Sequence, residues 1–331
     1  MRLRTVEPPL PESLLDALDG LGIRTDADFM FFGSPMDLYR KLPLGTVTLA
    51  DLTRYIDQVV QYSAAPGVRG DLALQQEEEK SRECRPEEFS SGVPELDKLT
   101  GGFVCPRVME ICGDRGSGKT AMAMRHLSLS PTSGAVWIDT TGDFAVERLQ
   151  PLLQSLAAHP ATDTAAERLH ISLAFDIEGM QDVLDGVCAQ LEAGQATQTC
   201  RTRLLVIDNA TPIFRPLLSV VSSQGHAVMT SFMQQLRVLA RAHGLSVLVL
   251  NGTSAAAPRN PQSVFASTAR KPALGPTFAF QTDATLWLAR APRELGAVAP
   301  NTHVAELLRA RYMPSRTWCS FNIQNGVLRS T

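Results

Sequence analysis

The chain has 331 residues, is 44% hydrophobic and 20% charged, and carries a formal net charge of −3. Such a chain can hold one large α/β domain and a small companion. The balance excludes a uniformly basic nucleic-acid binder, and no run approaches the roughly 20 apolar residues of a membrane span.

The opening Met1-Arg-Leu-Arg-Thr-Val-Glu-Pro-Pro has no apolar stretch, so no secretory leader is expected. Residues 1–63 read as a small helical domain. Pro11-Glu12 starts a helix bearing Leu14, Leu15 and Leu18, which Gly20-Leu-Gly22 closes. Thr25 with Asp28 makes a capping box, and Ser34-Pro35 supplies an N-cap followed by Pro at N1. Thr48 with Asp51 begins a longer helix, with Leu49, Leu52, Ile56, Val59 and Val60 on one face. A core of this size suits docking to a neighbour better than chemistry. Residues 64–89 are predicted to be a linker, rich in turn residues and then in Gln and Glu.

Residues 90–331 read as an α/β core. Val108 to Cys112 is a short apolar strand, and Ala121 to Leu127 is helix-forming. Between them, Gly113-Asp114-Arg115-Gly116-Ser117-Gly118-Lys119-Thr120 completes the phosphate-loop pattern G-x-x-x-x-G-K-[ST] in its strand–loop–helix setting. The pattern needs glycines because backbone N–H groups must close on a phosphate where a Cβ would intrude. Lys119 is predicted to reach the β- and γ-phosphates and Thr120 to ligate Mg²⁺. Further apolar runs at Ala135–Asp139, Leu169–Ala174, Arg203–Asp208 and Leu245–Leu250 alternate with helical patterns, which predicts a mostly parallel sheet. Three late runs, Ala284–Ala289, His303–Ala310 and Thr317–Ile323, are expected as hairpin strands without intervening helices. Leu204-Leu-Val-Ile-Asp208 puts a carboxylate at a strand tip, so Asp208 is the second expected metal-site residue.

The six cysteines are scattered and none forms C-x-x-C, so neither zinc nor a disulfide frame is expected, and a reducing compartment follows. Charge is uneven. From Asn209 through Thr282 there is no acid in 74 residues, where the chain average would give about eight. Arg215, Arg237, Arg241, Arg259, Arg270 and Lys271 lie there. A phosphate-facing surface and buried secondary structure both fit that bias.

The order of Ser91-Gly-Val-Pro-Glu-Leu-Asp-Lys-Leu, the phosphate loop, Val136-Trp-Ile-Asp-Thr-Thr-Gly-Asp-Phe, Leu204 to Asp208, and Leu250-Asn-Gly resembles the RecA-type recombinase core. Lys271-Pro-Ala-Leu-Gly275, Ala174-Phe-Asp-Ile and the helical front end make it most similar to the D branch of the eukaryotic recombinase paralogues. The resemblance implies a RecA-like fold, ATP and Mg²⁺ as cofactors, other paralogue subunits as partners, single-stranded or branched DNA as ligand, a role in homologous recombination, and the nucleus as location. It also implies that Arg311 and Pro314 cap a nucleotide, either this chain's or a neighbour's. The loop from Gly252 to Arg270 would meet DNA through Arg259, Phe265, Arg270 and Lys271. Two positions depart from the family. Thr141 stands where active recombinases carry a water-polarising Glu, with Asp143 the acidic alternative two residues on. Gly252 stands where they carry a phosphate-sensing Gln. Slow hydrolysis is therefore expected; an active, filament-forming ATPase and a phosphate-loop kinase are the rivals.

Overall fold

The computed structural model describes residues 3–64, 67–83, 90–129, 133–155, 166–194, 201–218, 223–257 and 260–331. They fall into two compact units, Met1–Gln76 with Ser219–Gln235, and Glu77–Leu218 with Leu236–Thr331.

In the first unit, helices α1 (Glu12–Gly20), α2 (Asp26–Phe31), α3 (Pro35–Lys41) and α4 (Leu49–Ser63) surround a core of Leu14, Leu18, Phe29, Leu38, Leu52 and Val59. Both capping boxes form: Thr25 and Ser34 accept from the N3 backbone, while Asp28 and Asp37 return the bond. These motifs fix the helix starts by satisfying N–H groups that the helices themselves leave unpaired. Val60 is 45% exposed, so the buried stripe of α4 is narrower than its apolar spacing predicts. The segment read as linker contains a helix, α5 (Gly70–Glu83). Its Gln and Glu are good helix formers, and the absence of an apolar stripe hid it.

The second unit is built on a nine-stranded sheet. In chain order the elements are α6 (Pro94–Thr100), β1 (Arg107–Gly113), α7 (Lys119–Leu129), β2 (Ser133–Asp139), α8 (Leu149–Ser155), β3 (Leu169–Leu173), α9 (Ile177–Gly194), β4 (Arg201–Asp208) and α10 (Thr211–Phe214). Then come α11 (Gln224–His243, shared with the first unit), β5 (Ser246–Asn251), β6 (Thr253–Ala255), β7 (Arg270–Pro272), α12 (Gly275–Gln281), β8 (Ala284–Arg290), β9 (Thr302–Ala310), β10 (Thr317–Gln324) and β11 (Val327–Arg329). The order is β11-β10-β9-β8-β1-β5-β4-β2-β3, with β6 and β7 forming a separate hairpin. From β8 through β3 every pair is parallel; β9, β10 and β11 return antiparallel.

β1, β2 and β5 are buried on both faces; β2 and β5 read as apolar runs for that reason, and in β1 only Glu110 interrupts the run. One face packs Met109, Ile111, Trp137, Leu248 and Leu286 against Leu96, Met122, Met124 and Leu152. The three late runs form the expected hairpin strands, β8 antiparallel to β9 and β9 to β10, with no α-helix between them. β8 also pairs parallel with β1, which joins this meander to the parallel sheet. Cys105 is disulfide-bonded, which corrects the reading of the cysteines as all reduced.

The polarity of the sheet positions the site. The loop after β1, the tips of β2, β4 and β8, the start of β9 and the end of β10 all lie at one end. Crevices at the carboxyl ends of parallel strands are the usual ligand sites of open α/β sheets.

Candidate functional site

At that end lies a cavity of about 890 Å³, within the range of small-molecule and cofactor sites. Gly113, Asp114, Arg115, Gly116, Gly118, Lys119 and Thr120 line it. Gly116 and Gly118 have φ of +77° and +97°, conformations that a Cβ would strain. A Cβ on Gly113 would collide with the Leu288 carbonyl and the Ser117 hydroxyl. Ser117 is buried behind the loop and does not line the cavity. The Lys119 ammonium donates to the carbonyls of Gly113 and Asp114 at 2.8 and 2.9 Å. Burial lowers its pKa, against the nearby charge of Asp208.

Thr120 Oγ1 donates to Asp208 Oδ2 at 3.0 Å, joining the start of α7 to the tip of β4. Burial raises the Asp208 pKa, opposed by the Thr120 hydrogen bond and by Lys119. Thr140 Oγ1 fixes the strand tip by donating to the Asn209 carbonyl and accepting from its N–H. The two oxygen donors suit Mg²⁺, a hard cation that keeps water and takes its remaining ligands from phosphates. Thr120 and Asp208 would leave the rest of an octahedral shell to water and phosphate oxygens. The glycine cradle, Lys119 and the Thr120–Asp208 pair thus fit a magnesium–nucleoside triphosphate.

Thr141 and Asp143 also face the cavity. Thr141 is committed: its N–H and hydroxyl donate to Asp139 Oδ1 at 2.9 and 3.1 Å. Gly142 N–H donates to the same oxygen and Phe144 N–H to Oδ2. Burial works to raise the Asp139 pKa, but these bonds win and hold it below its ordinary value. Asp139 therefore caps the turn, Thr141 Oγ1 is its donor, and Asp143 is the acid left facing the cavity.

Several cavity residues escaped sequence reasoning. Arg148, Arg290, Asn301, His303 and Asn325 line it from four separate segments. Arg290 could have been suspected as the last residue of a parallel strand. His303 and Asn325 enter through the antiparallel return of β9 and β10; the hairpins were legible, but which of their residues reach the phosphate loop depends on strand register, which has no local signal.

Other expectations are relocated. Arg311 and Pro314 do not line the cavity; they follow β9, at the opposite end of the sheet. The Arg311 guanidinium donates to the Phe280 carbonyl at 3.1 Å and lies 3.8 Å from Asp283. It caps α12 rather than this chain's own nucleotide, because antiparallel β9 carries it away from the phosphate loop. Phe265 is buried, edge-on to Trp318 at 5.3 Å, so its ring is not presented for base stacking. Arg270 lines the cavity and lies 3.5 Å from Asp114, whereas Lys271 stands exposed on the hairpin outside it. Arg259 lies outside the described residues.

Gly252 is not simply a vacant position. Its N–H donates to Thr211 Oγ1 at 2.7 Å, and a Cβ there would press on that hydroxyl. Thr211 in turn donates to Asn251, and Asn251 Nδ2 donates to Glu110 at 2.6 Å. Thr285 donates to the other oxygen of this fully buried carboxyl. A polar chain thus runs from the sheet interior to the cavity rim.

The sequence model of the Rad51 family matches residues 87–298. The DNA repair protein RAD51 homolog 4 of Mus musculus is 29% identical over 249 residues, covering 74% of this chain and 73% of its own. The DNA repair and recombination protein RadB of Thermococcus kodakarensis is 27% identical, covering 71% of this chain and 96% of its own. A crystal structure of the RadB recombinase superposes with a TM-score of 0.58 at 23% identity over 73% of this chain and 99% of that one, which supports the RecA-like fold.

Proposed function

The chain belongs to the Rad51 family, and from that premise we propose that it is an ATP-binding recombinase paralogue of the D type. In this reading it works as one subunit of a hetero-oligomer with other paralogues, acts on single-stranded or branched DNA in the nucleus, and supports double-strand-break repair by homologous recombination. The names of its relatives support the repair role.

The observation that carries the reading is the contrast inside one cavity. The parts that hold a triphosphate are in place: the glycine cradle, Lys119, and Thr120 with Asp208. Mg²⁺, when bound, supplies charge neutralisation between the phosphate oxygens. Gly113 to Gly118 would wrap the phosphates, with Lys119, Arg115 and Arg290 supplying positive charge and Asp208 fixing the metal side. The part that activates water is different. Thr141 donates its hydroxyl hydrogen bond to Asp139, and a neutral hydroxyl is too weakly basic to take a proton from water near neutral pH. General bases are typically worth ~10²–10⁴ in rate. Nucleotide would therefore be held long and turned over slowly, shaping subunit contacts through differential affinity for assembled and free states.

The rival is a self-sufficient, DNA-stimulated recombinase, with Asp143 as the base. Steady-state ATP turnover with and without single-stranded DNA separates the two. Our reading expects slow turnover that DNA barely changes. Brisk, DNA-stimulated turnover abolished in Asp143→Asn would replace it with the rival.

A further inference from the structure

Arg270 occupies two structures at once. Its side chain lines the nucleotide cavity and lies 3.5 Å from Asp114 of the phosphate loop. Its backbone belongs to β7, paired with Ala255 of β6. The Arg270 carbonyl accepts from Asn260 Nδ2 at 2.6 Å. Beyond Asn260 the segment is fastened to the outer strands. Ser263 Oγ and Val264 N–H both donate to Glu306 of β9 at 2.7 Å, and Phe265 packs on Trp318 of β10. Asp114 also accepts from the hydroxyl of Thr253, the first residue of β6. One carboxylate on the phosphate loop therefore holds both strands of the hairpin, and the hairpin leads directly to the segment seated on β9 and β10.

The Asp114–Arg270 pair is half-exposed on both sides, 49% and 51%. Exposed pairs of this kind are weakly held. An additional phosphate in the cavity would repel the Asp114 carboxylate and attract the Arg270 guanidinium. Both effects favour the same exchange, which supplies the differential interaction a ligand needs to shift an equilibrium. Gly252 has no side chain for this task, and Thr211 occupies the space beside it.

We propose that Arg270 is the residue through which this chain registers the terminal phosphate of a bound nucleotide. Asp114 is its resting partner, and Arg270 exchanges Asp114 for phosphate oxygens, loosening the hairpin's hold on the phosphate loop and altering the packing of residues 260–267 on Glu306 and Trp318. The inference rests on the cavity being a nucleotide site. It assigns Arg270 to phosphate sensing rather than to direct DNA contact.

The test is amide hydrogen exchange on the full chain, followed in peptides covering 260–269, without nucleotide, with ADP, and with a non-hydrolysable ATP analogue. Occupancy is measured in parallel by equilibrium dialysis. The analogue, but not ADP, changes exchange in 260–269, and Arg270→Gln loses that change at full occupancy. Asp114→Asn shifts exchange in the same direction with no nucleotide present; Thr253→Val, which removes the other bond to Asp114, does so more weakly and serves if Asp114→Asn folds poorly. A response to ADP equal to that of the analogue, a full response in Arg270→Gln, or nucleotide-free variants that exchange like the parent would overturn the proposal. Absence of any nucleotide binding in dialysis would instead sink the nucleotide reading, while the nucleotide-free variants still decide the Asp114 link.

Discussion

The two ends of the sheet are both rich in arginine, and they use it in opposite ways. At the carboxyl end, Arg115, Arg148 and Arg290 line an open cavity around the phosphate loop. At the other end, Arg237 and Arg311 approach Asp283, and Arg309 donates twice, to the carbonyls of Ala279 and Thr282. Those carbonyls end α12, where helices leave acceptors unpaired and favour cations. The Arg309 pKa is lowered by burial and by Arg311, a cost the capping bonds offset. A guanidinium is the same chemical object at both ends. What separates a site from a scaffold is whether the fold has already supplied its acceptors.

The largest expected effect comes from removing the cavity's shape. Gly113→Ala forces a methyl group onto the Leu288 carbonyl. Overpacking of that kind costs about 1–3 kcal/mol. Denaturant unfolding should show that loss, and nucleotide binding should disappear with it.

A matched pair of substitutions then sharpens the comparison directly. Arg290→Ala removes a cation whose guanidinium lies beside Gly116. It should weaken ATP binding roughly 3- to 10-fold, as expected for losing one partly screened charged contact. Arg311→Ala should leave ATP affinity of the isolated chain unchanged and lower stability by less than about 1 kcal/mol, since its side chain is 40% exposed. Calorimetric titration of both variants checks this. Equal losses of affinity would erase the distinction between the two ends.

The smallest effect lies between the ends, at Glu110. Burial raises its pKa, against hydrogen bonds from Asn251 and Thr285 and the charge of Arg309. A raised acid binds its proton more tightly when folded. Its stabilising contribution is complete below the ordinary glutamate range and is lost as pH rises through the native value. Melting curves should fall across that window, and Glu110→Gln should flatten the fall. Asp139 has the opposite sign: its depressed pKa stabilises the fold above the ordinary aspartate range and is lost on acidification.

The sequence made some of this legible and hid the rest for physical reasons. The phosphate loop was readable because its residues are neighbours in the chain, so their geometry is set by one local turn. Asp208 ends a buried strand, as many aspartates do, and stood out only because the phosphate loop was already in hand; the structure brings it to Thr120. The Thr25 capping box and the Ser34 N-cap were readable for the same local reason as the phosphate loop. Arg311 was placed on resemblance, although the antiparallel course expected of β9 already carries it to the far end of the sheet. Phe265 looked like a lone aromatic in a polar loop, because its partner Trp318 lies on a distant strand. The helix at Gly70–Glu83 has no apolar stripe to betray it.

The central claim is that the carboxyl end of the sheet is a built nucleotide site whose grip depends on Lys119. Calorimetric titration of ATP with Mg²⁺ into the purified chain, beside Lys119→Ala, tests it most directly. Removing a charged donor of this kind is worth about 1.5–3 kcal/mol, so affinity should fall roughly 10- to 150-fold. Equal affinity in the two proteins, or no binding to the parent chain, would contradict the account.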